Sequence, residues 1–195
     1  MRMRSLWLVS VLAVVLCPLA WAQGEKEGEG GMDPAAMEKM MPGPEHEALA
    51  KQAGTWHVAM KQWQDPAQPP MEAIGTAEFT VIMDGRYLHQ VYKGEMMGMP
   101  FTGWGIDGYD RVLGKYTSYW IDSMTTSSTS LTGTSKDGGK TVEYTGAMAD
   151  FEGGGMVQVR WVAEHKSDDE THIDMFVQHD GQETRSMELV YTRKK

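Results

Sequence analysis

The sequence predicts an all-β protein, a single antiparallel up-and-down β-barrel of about ten strands preceded by short N-terminal helices. Two observations carry this expectation. From Thr55 to the C-terminus, apolar and polar residues alternate in about ten short segments separated by glycine, proline and aspartate turns, and no gap between them is long enough for a helix. Ten consecutive strands left as a flat sheet would expose two long unpaired edges, and closure into a barrel removes both.

The first 22 residues read as a secretory signal. Arg2 and Arg4 form a positive start, Leu6 to Leu19 is an apolar run, and Ala20-Trp21-Ala22 gives a cleavage pattern before Gln23. The apolar run is short for a membrane span, and no later segment reaches the ~20 apolar residues a transmembrane helix needs. The expected product is therefore periplasmic or secreted. Cys17 suggests the less supported alternative of a lipid-anchored protein, but bulky Leu16 precedes it where a small residue is wanted. Cleavage near Ala22 removes the single cysteine, so the remaining 173 residues have no disulfide or thiol chemistry and must be held by packing. Without Arg2 and Arg4 the basic side chains fall to 16 against 27 acidic, a net charge of −11 that repels nucleic acid and anionic membrane surfaces.

Residues 23–41 are expected to be a flexible leader ending in a short methionine-rich helix, and residues 42–195 the barrel domain. Gln23 to Met32 is rich in Gly and Glu, a composition that cannot build a core. Asp33-Pro34 fits an N-cap followed by proline at the first helical position, predicting a helix over Ala35 to Met41 that carries Met37, Met40 and Met41. Pro42-Gly43-Pro44 ends it. A second helix is predicted over Glu45 to Gln52, with acidic residues in its first turn and Gly54 beyond its end.

Strands are predicted near 56–64, 73–83, 87–96, 101–109, 115–124, 128–134, 141–149, 156–165, 171–179 and 185–192. Asp84-Gly85, Gly98, Asp137-Gly138-Gly139, Gly153-Gly154-Gly155 and Asp180-Gly181 supply the turns. Alternation groups Trp56, Val58 and Met60 as interior in the first strand, and Met187, Leu189, Tyr191 and Arg193 in the last. In the middle strands both faces carry large residues.

Gly54-Thr55-Trp56, opening the first strand after a short helix, resembles the G-x-W element that begins calycin barrels (lipocalins, fatty-acid-binding proteins, nitrobindins). That resemblance implies a tryptophan at the closed end with a basic residue of the last strand packed across it, the roles of Trp56 and Arg193. A longer set of motifs, Pro42-Gly43-Pro44-Glu45-His46, Gly94 to Phe101, Gly108-Tyr109-Asp110, Trp120 to Met124 and Tyr191 to Lys195, resembles a bacterial family known only as domain of unknown function 1579. It implies a calycin-like barrel and no particular activity.

A closed barrel of about eight strands has room for about one small molecule and one of ten for somewhat more, although the same residues would also make an ordinary packed core. The function expected is binding of a small, largely apolar ligand in the interior, with Tyr92, Trp104, Trp120, Met124, Tyr144 and Met175 as the wall and Asp122 and Tyr191 as polar orienters. Three alternatives were weighed against this. Met96, Met97 and Met99 with Met37, Met40, Met41 and His46 could offer thioethers to copper, although no tight Met-x-Met run with an adjacent histidine recurs. Haem would need an axial histidine, for which His89 is the best placed of six. An enzyme would use Asp122 as acid or base, but no nucleophile and base pair accompanies it, and its expected role is to bond neighbouring hydroxyls or an arginine such as Arg86. No catalytic residue, metal ligand or cofactor is therefore assigned. Hydrolase, zinc, phosphate-loop and nucleic-acid motifs are absent from the sequence.

Overall fold

Ten alternating segments pair in sequence order and the last pairs with the first, so the sheet closes as a ten-stranded antiparallel barrel. The computed structural model describes residues 32–195 apart from 152; the signal expected over 1–22 and the leader from 23 to 31 lie outside the described residues. Two helices, α1 (Pro34–Lys39) and α2 (Pro44–Ala50), precede β1 (Gly54–Gln62), β2 (Met71–Ile82), β3 (Tyr87–Met96), β4 (Met99–Asp110) and β5 (Lys115–Asp122). β6 (Thr129–Thr134), β7 (Thr141–Ala149), β8 (Met156–Ser167), β9 (Glu170–His179) and β10 (Gln182–Arg193) complete the wall.

Three of the connections are two residues long: Met97-Gly98, Asp168-Asp169 and Asp180-Gly181. Met97-Gly98 and Asp180-Gly181 both take positive φ at each position (53° and 77°, 51° and 78°), the pair of left-handed residues that matches the twist of the flanking strands. Short turns let the ladders run further than alternation alone indicates, so β4 starts at Met99 and β10 at Gln182, three residues before its expected start at Arg185.

The seam pairs β1 with β10, Trp56 opposite Arg193 and Met60 opposite Leu189. Trp56, Val58 and Met60 point inward, and Leu189 and Tyr191 are buried beside them. One end, here the base, carries the β2–β3, β4–β5, β6–β7 and β8–β9 turns, and α2 packs across it. His46 and Leu49 of α2 are buried, with His46 edge-on to Tyr109 at 6.1 Å between ring centres. Proline at the first helical position and an imidazole nitrogen of His46 accepting from the Gly43 amide (3.1 Å) start α2. Arg193 then ties the helix to the barrel: it lies 4.3 Å over the Trp56 ring and donates to the carbonyls of Lys51 (2.7 Å), Ala53 (2.7 Å) and Asp168 (2.9 Å).

The N-terminal methionines sit at the base. Arg86 donates to the Met40 carbonyl and Arg111 to the Met41 carbonyl, both arginines belonging to base hairpins. The Met97-Gly98 turn lies at the other end of β3, ~30 Å away at ~3.3 Å per residue. The two methionine groups that the copper reading would bring together are therefore held apart by the length of a strand.

Candidate functional site

The barrel is not filled by its own side chains. A cavity of about 420 Å³ runs from the base to the loops at the opposite end, the mouth. Met60, Met96, Met124, Met148, Met175 and Met187 line the half nearer the mouth together with Phe101, Trp120 and Phe151. Polar groups line it at every level: Gln62, Asp122, Thr125, Ser127, Thr129 and Ser186 toward the mouth, Gln90, Asp107, Ser118, Tyr144 and Tyr191 further in, and Gln52, His165 and Thr171 near the base. Among the described residues no lysine or arginine lines it.

Glycines on three strands make the room. A Cβ on Gly103 would fall 2.1 Å from the Trp120 ring, and the same ring covers Gly105 on its other side. Trp120 therefore lies flat against β4 inside the barrel and forms a wall of the cavity. Tyr92 lies across Gly75 and Gly94 in the same way, with its hydroxyl 2.3 Å from where a Gly75 Cβ would stand. That hydroxyl is buried and, among the described residues, has no hydrogen-bond partner.

The polar groups further in are linked across strands. The Gln90 amide donates to the Tyr191 hydroxyl at 3.0 Å. Asp107 pairs in register with Ser118 of β5, whose hydroxyl donates to its carboxylate. Burial pushes the Asp107 carboxyl up from 3.8 to about 6, because the charged form has lost its water and Ser118 only partly replaces it. Burial likewise pushes up the hydroxyls of Tyr92, Tyr144 and Tyr191, the last restrained by the Gln90 bond. The ring of His165 lies 3.0 Å from the Thr171 hydroxyl and 3.5 Å from the Gln52 amide nitrogen, and burial lowers its pKa.

Of the eight residues expected to meet a ligand, seven line the cavity: Tyr92, Trp120, Asp122, Met124, Tyr144, Met175 and Tyr191. Trp104 does not. It is 52 % exposed on the outer face of β4, opposite Ile121 and edge-on to His89 at 5.6 Å. The expectation took the bulky residue as the inward one, whereas Gly103 and Gly105 face inward to accept Trp120. His89 is turned outward by the same register, and His165, the histidine that does line the cavity, has both ring nitrogens beside polar neighbours.

Asp122 is a cap at the mouth rather than a free acid. One of its oxygens accepts from the amides of Met124 and Thr125, each at 2.9 Å, and closes the turn after β5. These amides replace the hydroxyls or the Arg86 side chain expected as its partners, Arg86 being engaged at the base. Among the described residues no three His, Cys, Asp or Glu side chains converge in a way that would hold a metal ion. Asp107 went unnoticed in the sequence, though one signal was available: it shares the phase of Phe101, Gly103 and Gly105, the face that glycine marks as inward.

Known structures share this architecture. Rv2717c from Mycobacterium tuberculosis superposes with a TM-score of 0.58 at 16% identity, covering 80% of this chain and 100% of that one. The S-type phycobiliprotein lyase CPES from Guillardia theta superposes with a TM-score of 0.54 at 11% identity, covering 84% and 99%. At these identities the likeness is one of fold. No curated protein matches the chain in sequence. The family model described as "Protein of unknown function (DUF1579)" matches residues 41–193, α2 and the whole barrel, and the chain belongs to that family.

Proposed function

We propose that this protein binds a small, largely apolar molecule inside its barrel, acting after export in the periplasm or outside the cell. The observation that carries the reading is the cavity: about 420 Å³, faced largely by methionine and aromatic side chains with polar groups among them. Ligand sites are of this size and kind, mostly apolar with a small number of placed polar atoms. Methionine suits an adaptable wall, since an unbranched thioether repacks around ligands of different shape. The lyase among the structural neighbours supports the idea that a barrel of this architecture handles small organic molecules. The export part rests on the N-terminal sequence.

Native mass spectrometry of the protein purified from its own host tests the reading. The expected result is an adduct that survives gentle ionisation and is released on denaturation. Ala163 is buried on the inner face, and Ala163→Trp, which puts an indole into the cavity, is expected to abolish the adduct while circular dichroism stays that of the natural barrel. A bare mass for the natural protein, together with no organic compound in a solvent extract, would refute it.

A further inference from the structure

The depth of the cavity specifies a charge as well as a shape. Two carboxylates face it, Asp107 and Asp122, and among the described residues no lysine or arginine does. Asp122 is occupied by two backbone amides. Asp107 has the Ser118 hydroxyl and, among the described residues, no ion-pair partner. A carboxylate taken from water without a counter-charge is held at a cost of several kcal/mol, which a cation arriving at the same place offsets. An anionic head group would meet the reverse: a like charge at low effective dielectric and no base to receive it. The neighbourhood suits a cation in one further way: Trp120 and Trp161 line the same cavity, and an indole ring attracts a cation.

Resting on the binding reading above, we propose that the ligand is an apolar molecule carrying one basic nitrogen, seated with that nitrogen at Asp107 and its apolar body among the methionines toward the mouth. Fatty acids and other anionic amphiphiles are the class this cavity rejects.

The groups around Asp107 are Ser118 on β5, Gln90 on β3, Tyr144 on β7 and Tyr191 on β10, with Asp122 further up β5 and His165 on β8. Burial moves the tyrosines to higher pKa and His165 to lower. Asp107, pushed up to about 6, is the group among them that changes charge just below neutral pH. Protonating it removes the counter-charge, so amine affinity is expected to fall as pH drops through that value.

The test uses the full chain, the neutral fluorophore N-phenyl-1-naphthylamine as reporter, and decylamine, decanol and decanoate as competitors. At pH 7.5 decylamine is expected to displace the reporter at a concentration at least tenfold below that of decanol, with decanoate weakest. Asp107→Asn, which keeps the shape and removes the charge, is expected to bring decylamine level with decanol while reporter binding persists. With the unaltered chain, which needs no variant to fold, decylamine is expected to weaken about tenfold between pH 7.5 and pH 5 while decanol does not change. Decanoate or decanol competing as well as decylamine, a preference that survives Asp107→Asn, or a pH-independent decylamine affinity would overturn the amine proposal alone. Failure of the reporter and of all three competitors to bind would overturn the binding reading together with it.

Discussion

Asp107 sets a conflict between stability and binding. Its carboxyl titrates near 6 in the folded barrel against 3.8 in an ordinary setting. Between these values the folded state holds more protons than the unfolded chain, so stability falls as pH rises through the window and the loss is complete above it. A difference of about two pH units corresponds to ~3 kcal/mol. Asp107→Asn is therefore expected to stabilise the ligand-free protein by ~1–3 kcal/mol at pH 8 and by little at pH 3.5, read from urea unfolding at the two pH values. A destabilised or unchanged variant at pH 8 would show that the carboxylate is satisfied after all. The residue also marks where the sequence was hard to read. In Gly103-Trp104-Gly105-Ile106-Asp107 the large apolar side chains point out and the glycines and the acid point in, the reverse of what bulk alone indicates. The reason lies on the next strand, where Trp120 needs the space, and within β4 only the shared phase of Gly103 and Gly105 records that requirement.

At the scale of elements, one side chain of the last strand serves the helix before the first. Arg193 gives three N–H groups to carbonyls of the α2 exit and of the β8–β9 turn, and lies over Trp56. Charged hydrogen bonds of this kind contribute ~1.5–3 kcal/mol apiece at most, and they are not additive. Arg193→Gln is expected to cost ~2–4 kcal/mol in chemical denaturation, and Arg193→Lys about half as much, since a lysine keeps the charge and loses the fork. Equal stability of all three proteins would remove the clamp from this account. Most elements were legible in advance because each has a local cause. The period-two alternation in β1 and β10 fixes their inward faces, and Asp33-Pro34 and Pro44 fix where the helices begin. The pairing of Trp56 with Arg193 was reached through a resemblance rather than through spacing, for 137 residues separate them and only closure makes them neighbours. The methionine groups show the opposite outcome, alike in composition and placed at opposite ends because β3 runs between them.

For the molecule as a whole, closure depends on the last segment of the chain. β10 pairs with β1 on one side and β9 on the other, so a chain ending at His179 would leave both partners with unpaired edges and one side of the cavity open. Such a truncated protein is expected to be insoluble or to lack a cooperative thermal transition, measured by light scattering and calorimetry; a monomeric, cooperatively unfolding product would show that nine strands suffice. The methionine half of the cavity carries a different implication. A thioether is readily oxidised to a sulfoxide, which replaces an adaptable apolar group with a polar, chiral one. Met124 is 37 % exposed at the mouth, and five more methionines stand behind it along the wall. Oxidant entering the cavity would turn its walls from oily to wet, so the oxidation state of these methionines would decide whether the cavity still offers the apolar surface that the proposed ligand requires.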